Sequence, residues 1–133
     1  MAFGNGPRIV TNGLLMSLDA ADRNSYVSGS TTWFDLSGNN NSGSLINGPI
    51  FNTGSFGNIV FDGADDHINT SYSSSLSDFS LAVWFKSTDS TNAASARIID
   101  KNFSTGFWTG KNTSGTANSW GGGVLQSGPP YGI

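Results

Sequence analysis

Three aspartates within five residues, Asp62, Asp65 and Asp66, with Gly63 among them, are the densest set of chemically able side chains in the chain. A hard cation such as Ca²⁺ takes roughly 6–8 oxygen ligands, and carboxylates set around a glycine turn supply several of them, with backbone carbonyls adding more. Ca²⁺ is thus the cofactor that this segment points to, with Asp62, Asp65 and Asp66 as the metal ligands. The competing reading is a tight turn whose aspartates capture local backbone amides. The turn is favoured, because so short a segment cannot fill a Ca²⁺ shell alone. Hydrolysis of a glycosidic bond with retention needs two carboxyl groups about 5–5.5 Å apart. Asp65 and Asp66 are adjacent, so on a strand they point to opposite faces, and catalysis by this pair is not expected. His67 follows them at an expected strand start, facing solvent or bonded to a carboxylate, and a lone His is seldom a metal site.

Aromatic side chains offer a second chemistry. Trp and Tyr faces stack on the C–H faces of sugar rings, while Asn and Asp bond the hydroxyls. Trp84, Trp108 and Trp120 are the candidate carbohydrate-binding residues, and Trp33, after Thr31-Thr32, reads as a packing residue. Each of these tryptophans also has a plain packing role open to it, since aromatics in β-proteins mostly fill cores. Gly121-Gly122-Gly123 lacks the following Lys-Ser/Thr of a phosphate loop and reads as a flexible turn.

Composition removes other classes. There is no Cys, which excludes disulfides, thiolate catalysis and thiolate metal sites. All nine acidic residues are Asp, and one His is present, so the usual carriers of general acid-base catalysis are scarce. No enzyme is expected. Six scattered cations against a net charge of -3 leave no basic stripe, so nucleic acid is not an expected partner. The longest apolar run, residues 81–85 (LAVWF), falls far below the roughly 18 residues of a membrane span, so a membrane is not expected either. Gly and Pro in residues 1–10 occupy the place of the apolar stretch of a signal peptide. No export signal is expected there.

The elements that position these residues read as strands. Apolar residues at helical spacing are missing, and only residues 20–26 suggest a short helical turn. Strands are expected at 14–18 after the Asn12-Gly13 turn, at 59–61 between Gly and Asn turn signals, and above all at 79–86. In the last, Phe79, Leu81, Val83 and Phe85 alternate with Ser80, Ala82, Trp84 and Lys86, so one continuous apolar face should lie on a core. Further strands are expected at 32–35, 44–46, 96–99, 103–108 and 123–125. Length allows one core, and no internal domain boundary is visible. Short strands with Gly-rich turns indicate an all-β sandwich or barrel.

Several segments in order carry a family likeness: 13–20 (GLLMSLDA), Ser25-Tyr26, 31–39 (TTWFDLSGN), 45–49 (LINGP), 59–68 (IVFDGADDHI) and 79–86 (FSLAVWFK). The series resembles the LamG-like, concanavalin A-like lectin-glucanase jelly-roll family, in the form common in bacteriophage virion and bacterial surface proteins. It covers about residues 13 to 101. The resemblance implies an all-β fold of two antiparallel sheets packed as a jelly-roll sandwich. Residues 1–12 are then an N-terminal extension and 13–133 the LamG-like sandwich. Where the family continues into a Trp-containing strand and a Tyr-Val-Asn-Gly-like hairpin, this chain reads 127–133 (SGPPYGI), so the C-terminal strands are expected to be missing, the sequence being either part of a longer chain or a subunit that a neighbour completes.

Two functions from different classes follow. One is a non-catalytic phage virion structural protein, a capsid decoration, head-fibre or tail-fibre component, that oligomerises or contacts other virion subunits. The other is a carbohydrate-binding module of a bacterial extracellular protein, with a surface glycan as partner. Location is expected in the virion on the first reading and outside the cell on the second.

Overall fold

Glycine and asparagine turns cut the chain into short extended pieces, and the computed structural model describes residues 10–54, 56–74, 78–87, 97–101, 107–111 and 120–124. Among them there is no helix, and every strand pair is antiparallel. The fold is all-β. The chain divides into two units, Met1–Ser74 and Ser75–Ile133.

In the first unit, β1 (Thr32–Trp33), β2 (Gly43–Ile46) and β5 (His67–Thr70) form one sheet in the order β1-β2-β5. Leu45 lies opposite Ile68 and Ile46 opposite His67. A hairpin of β3 (Ile50–Asn52) and β4 (Asn58–Val60) sets Phe51 opposite Ile59. These two side chains are more covered than Ile50 and Val60, which pair on the other face and are exposed. Phe51 meets Tyr26, only 4% exposed, with ring centroids 5.0 Å apart and a tilt of 42°. Such a pair adds about 0.5–1.5 kcal/mol beyond the area it buries. Gly57 passes this contact with φ at 96°, and a Cβ there would stand 3.0 Å from the Ala20 carbonyl oxygen and 3.2 Å from the Phe51 ring. Only glycine takes that path without strain.

The expected strand at 14–18 is a correction: no ladder forms there. Its polar backbone is instead taken up by the loop that follows β1. Leu36 donates to the Ser17 carbonyl at 2.8 Å, Asn39 Nδ2 to that of Leu14 at 2.8 Å, and Asn41 Nδ2 to that of Leu15 at 2.7 Å. Groups bonded to side chains are not free to build a sheet. The Asn12-Gly13 turn is present, closed by Leu14 N donating to Thr11 O at 3.1 Å with Gly13 at φ 78°. The helical turn expected at 20–26 is reduced to two bonds on one carbonyl, Ser25 N to Asp22 O at 2.9 Å and Tyr26 N to Asp22 O at 2.8 Å. Strand β1 is shorter than expected because Phe34 N turns away to Ser25 O at 2.7 Å, and β4 begins and ends one residue early.

In the second unit, β6 (Arg97–Lys101), β7 (Phe107–Lys111) and β8 (Trp120–Val124) form a sheet in that order, with an irregularity between Arg97 and Ile99. The triple glycine is a correction. Gly121, Gly122 and Gly123 are strand residues opposite Gly110, Thr109 and Trp108, not a turn. A ladder is made by main-chain groups, and glycine keeps both. Residues 79–86, expected as the firmest strand, are assigned to no sheet, and Leu81, Val83 and Phe85 are exposed instead of lying on a core. Alternation marks which side chains share a face, but it does not by itself fix how deeply that face is covered.

Candidate functional site

The acidic segment is the connection from β4 to β5. Gly63 bends it with φ at 80°. Asp62 Oδ1 accepts the Ala64 amide at 2.8 Å, the bond of an Asx-turn, and Asp66 Oδ2 accepts the Asp62 amide at 2.9 Å, which closes the loop on itself. A more distant tie comes from Asn47, just after β2, whose Nδ2 donates to the Asp65 carbonyl at 3.1 Å. The same carbonyl stands 2.9 Å from His67 Nδ1. His67 thus opens β5, is exposed, and faces a backbone carbonyl where a carboxylate was also open as partner.

The loop brings one carboxylate oxygen from each of Asp62, Asp65 and Asp66 within 4.8 Å of the others. Asp62 and Asp65 are exposed and Asp66 half-buried. The amide of Ala64, with smaller help from those of Asp66, Asp65 and Asp62 itself, holds the Asp62 carboxyl below the usual carboxylate range against a weaker opposing effect of desolvation. Three carboxylates at this spacing offer oxygen ligands of the kind that a hard cation takes. The amide bonds that shape the turn occupy only part of their oxygens' capacity, since a carboxylate has about four acceptor positions.

The candidate tryptophans Trp84, Trp108 and Trp120 all belong to the second unit. Trp84 is 92% exposed, on the segment outside the ladder. Trp108 stands opposite Gly123 in β7–β8, and Trp120 opposite Lys111, three rungs further along. Trp33 is half-buried in β1, in keeping with the packing reading, and its shielded indole Nε1 has no hydrogen-bond partner among the described residues.

A second polar cluster escaped the sequence reading. Asp35 accepts bonds from Ser17 N at 2.8 Å, Ser37 N at 2.9 Å, Ser37 Oγ at 2.7 Å and Asn41 N at 2.9 Å. Desolvation pushes its carboxyl upward, but these four donors, the Ser37 hydroxyl first, together outweigh it and hold the group below its ordinary value. The Asp35-Leu36-Ser37 spacing signals a local Asx-turn; the bond to Ser17 has no sequence signature. Asn47 was missed for the same reason. Comparison with protein-family models, with curated proteins and with solved structures finds no match. Among the described residues, no helix is long and apolar enough to cross a membrane.

Proposed function

We propose that this chain is a non-catalytic structural module of a bacteriophage virion, a capsid decoration, head-fibre or tail-fibre component. Its LamG-like jelly-roll sandwich makes contact with other subunits. The observation that carries this reading is the row Leu81, Val83 and Phe85, which share one face by alternation yet keep 43%, 39% and 49% of their surface exposed. Large apolar side chains left exposed on a chain this low in charge favour a surface on which another protein sits. The resemblance of the ordered segments to virion domains directs the choice of partner.

A surface glycan is the second reading, favoured by Trp84, which offers nearly its whole ring for stacking. Under either reading the turn bonds of Asp62 and Asp66 hold the β4–β5 loop, and a Ca²⁺ on Asp62, Asp65 and Asp66 is the less favoured addition, a structural service with no catalytic step. Native mass by multi-angle light scattering separates the two readings. A defined oligomer, returned to monomer by Val83→Asp, is the expected result. A stable monomer of 13.9 kDa overturns the assembly reading and puts glycan binding first.

A further inference from the structure

We infer that Asn12-Gly13 is a site of spontaneous deamidation in the native protein and that the fold shields the chemically equivalent Asn47-Gly48. Neither site depends on the function proposed above. An Asn-Gly pair is labile because glycine has no side chain to hinder approach of its own amide nitrogen to the asparagine side chain. In this reaction the Gly nitrogen, after losing its proton, attacks Asn Cγ. A C–N bond forms and the Cγ–Nδ2 bond breaks, with ammonia leaving once it has taken a proton from water. One water then opens the cyclic imide at either carbonyl, leaving Asp or isoaspartate. No oxidant or enzyme is needed.

The two pairs sit in different mechanical settings. Asn12 is exposed between exposed Thr11 and Gly13, and the turn is closed by one bond, Leu14 N to Thr11 O. Among the described residues no hydrogen bond holds the exposed Asn12 side chain, which leaves it room to swing onto the Gly13 nitrogen. Asn47 is held at both ends and in the middle. The residue before it, Ile46, is paired with His67 in the sheet, and Pro49 after Gly48 is buried. Its own amide Nδ2, the leaving group, is bonded to Asp65 O at 3.1 Å, and its backbone is fixed at φ 65°. Closing the imide there requires the loop to open first, and local opening costs free energy that a free turn does not pay. The product at Asn12 carries a new negative charge, and isoaspartate lengthens the turn backbone by one carbon.

The test is peptide mapping by mass spectrometry after the full chain has been incubated at mildly alkaline pH, once native and once in denaturant. Cleavage after Arg8 and Arg23 isolates Asn12 from Asn47 and from Asn5-Gly6, which lies outside the described residues. In the native protein the gain of about 1 Da is expected roughly tenfold faster at Asn12 than at Asn47, and the difference should collapse in denaturant. Equal native rates overturn the inference, as does a gap that persists unchanged in denaturant, since the latter would place the difference in local sequence and not in the fold.

Discussion

Asp35 and Asp62 begin alike: each accepts the amide of the residue two positions on, and each carboxyl is held below its ordinary value. They end differently. Asp35 also takes the amides of Ser17, eighteen residues back, and Asn41, so its oxygens are spent tying the loop after β1 to residues 14–17. Asp62 bonds only within its own loop, is exposed, and has two more carboxylates beside it. One turn motif serves as an internal clasp in the first case and leaves acceptors facing solvent in the second. Whether a carboxylate is structural or available for a ligand depends on how many donors the rest of the chain brings to it.

The largest effect expected from this contrast is on stability. Asp35→Ala strips four donors of their acceptor and should cost about 2 kcal/mol, read as a lower urea midpoint. Asp62→Ala, in an exposed loop, should leave the midpoint almost unchanged. Equal losses from the two substitutions would dissolve the distinction.

Acid should expose the same asymmetry. A carboxyl with a lowered folded pKa makes the unfolded chain bind more protons as pH falls below the ordinary value near 3.8, so its contribution is full above that value. The contribution is lost as pH drops through the folded pKa. Stability measured against pH should therefore fall steeply on the acid side for the parent chain. Asp35→Asn should flatten that fall more than Asp62→Asn does.

The smallest effect tests the exposed member. Millimolar Ca²⁺ should raise the melting temperature by a few degrees, about what binding at several times Kd produces in a small domain, and chelation should reverse it. Asp62→Asn and Asp66→Asn should abolish the rise, Asn47→Ala should weaken it by loosening Asp65, and Asp35→Asn should leave it intact. A rise that survives Asp62→Asn would place the cation elsewhere.

Much of the secondary structure was legible because turn chemistry is local. Asn12-Gly13, Gly57-Asn58 and Asp62-Gly63 mark bends, and β2, β4 and β6 fall close to where the apolar runs between such signals predict. Strand β3, Ile50–Asn52, was missed. Residues 14–18 misled because an apolar run reads as a strand whether its backbone pairs with another strand or with Asn39 and Asn41. The cluster of Asp62, Asp65 and Asp66 was legible because it lies within five residues of sequence. Its anchor Asn47 was not, since eighteen residues separate it from Asp65.

By itself the sequence determined the all-β class, the absence of thiol chemistry, the positions of the main turns and the gathering of three carboxylates, because composition and near-neighbour sterics suffice for each. Only the tertiary structure decided which strands pair, that three glycines continue a strand, and that Asp35 is a clasp while Asp62 faces solvent. Those outcomes depend on which distant donors and acceptors meet, and such meetings carry no local period in the chain.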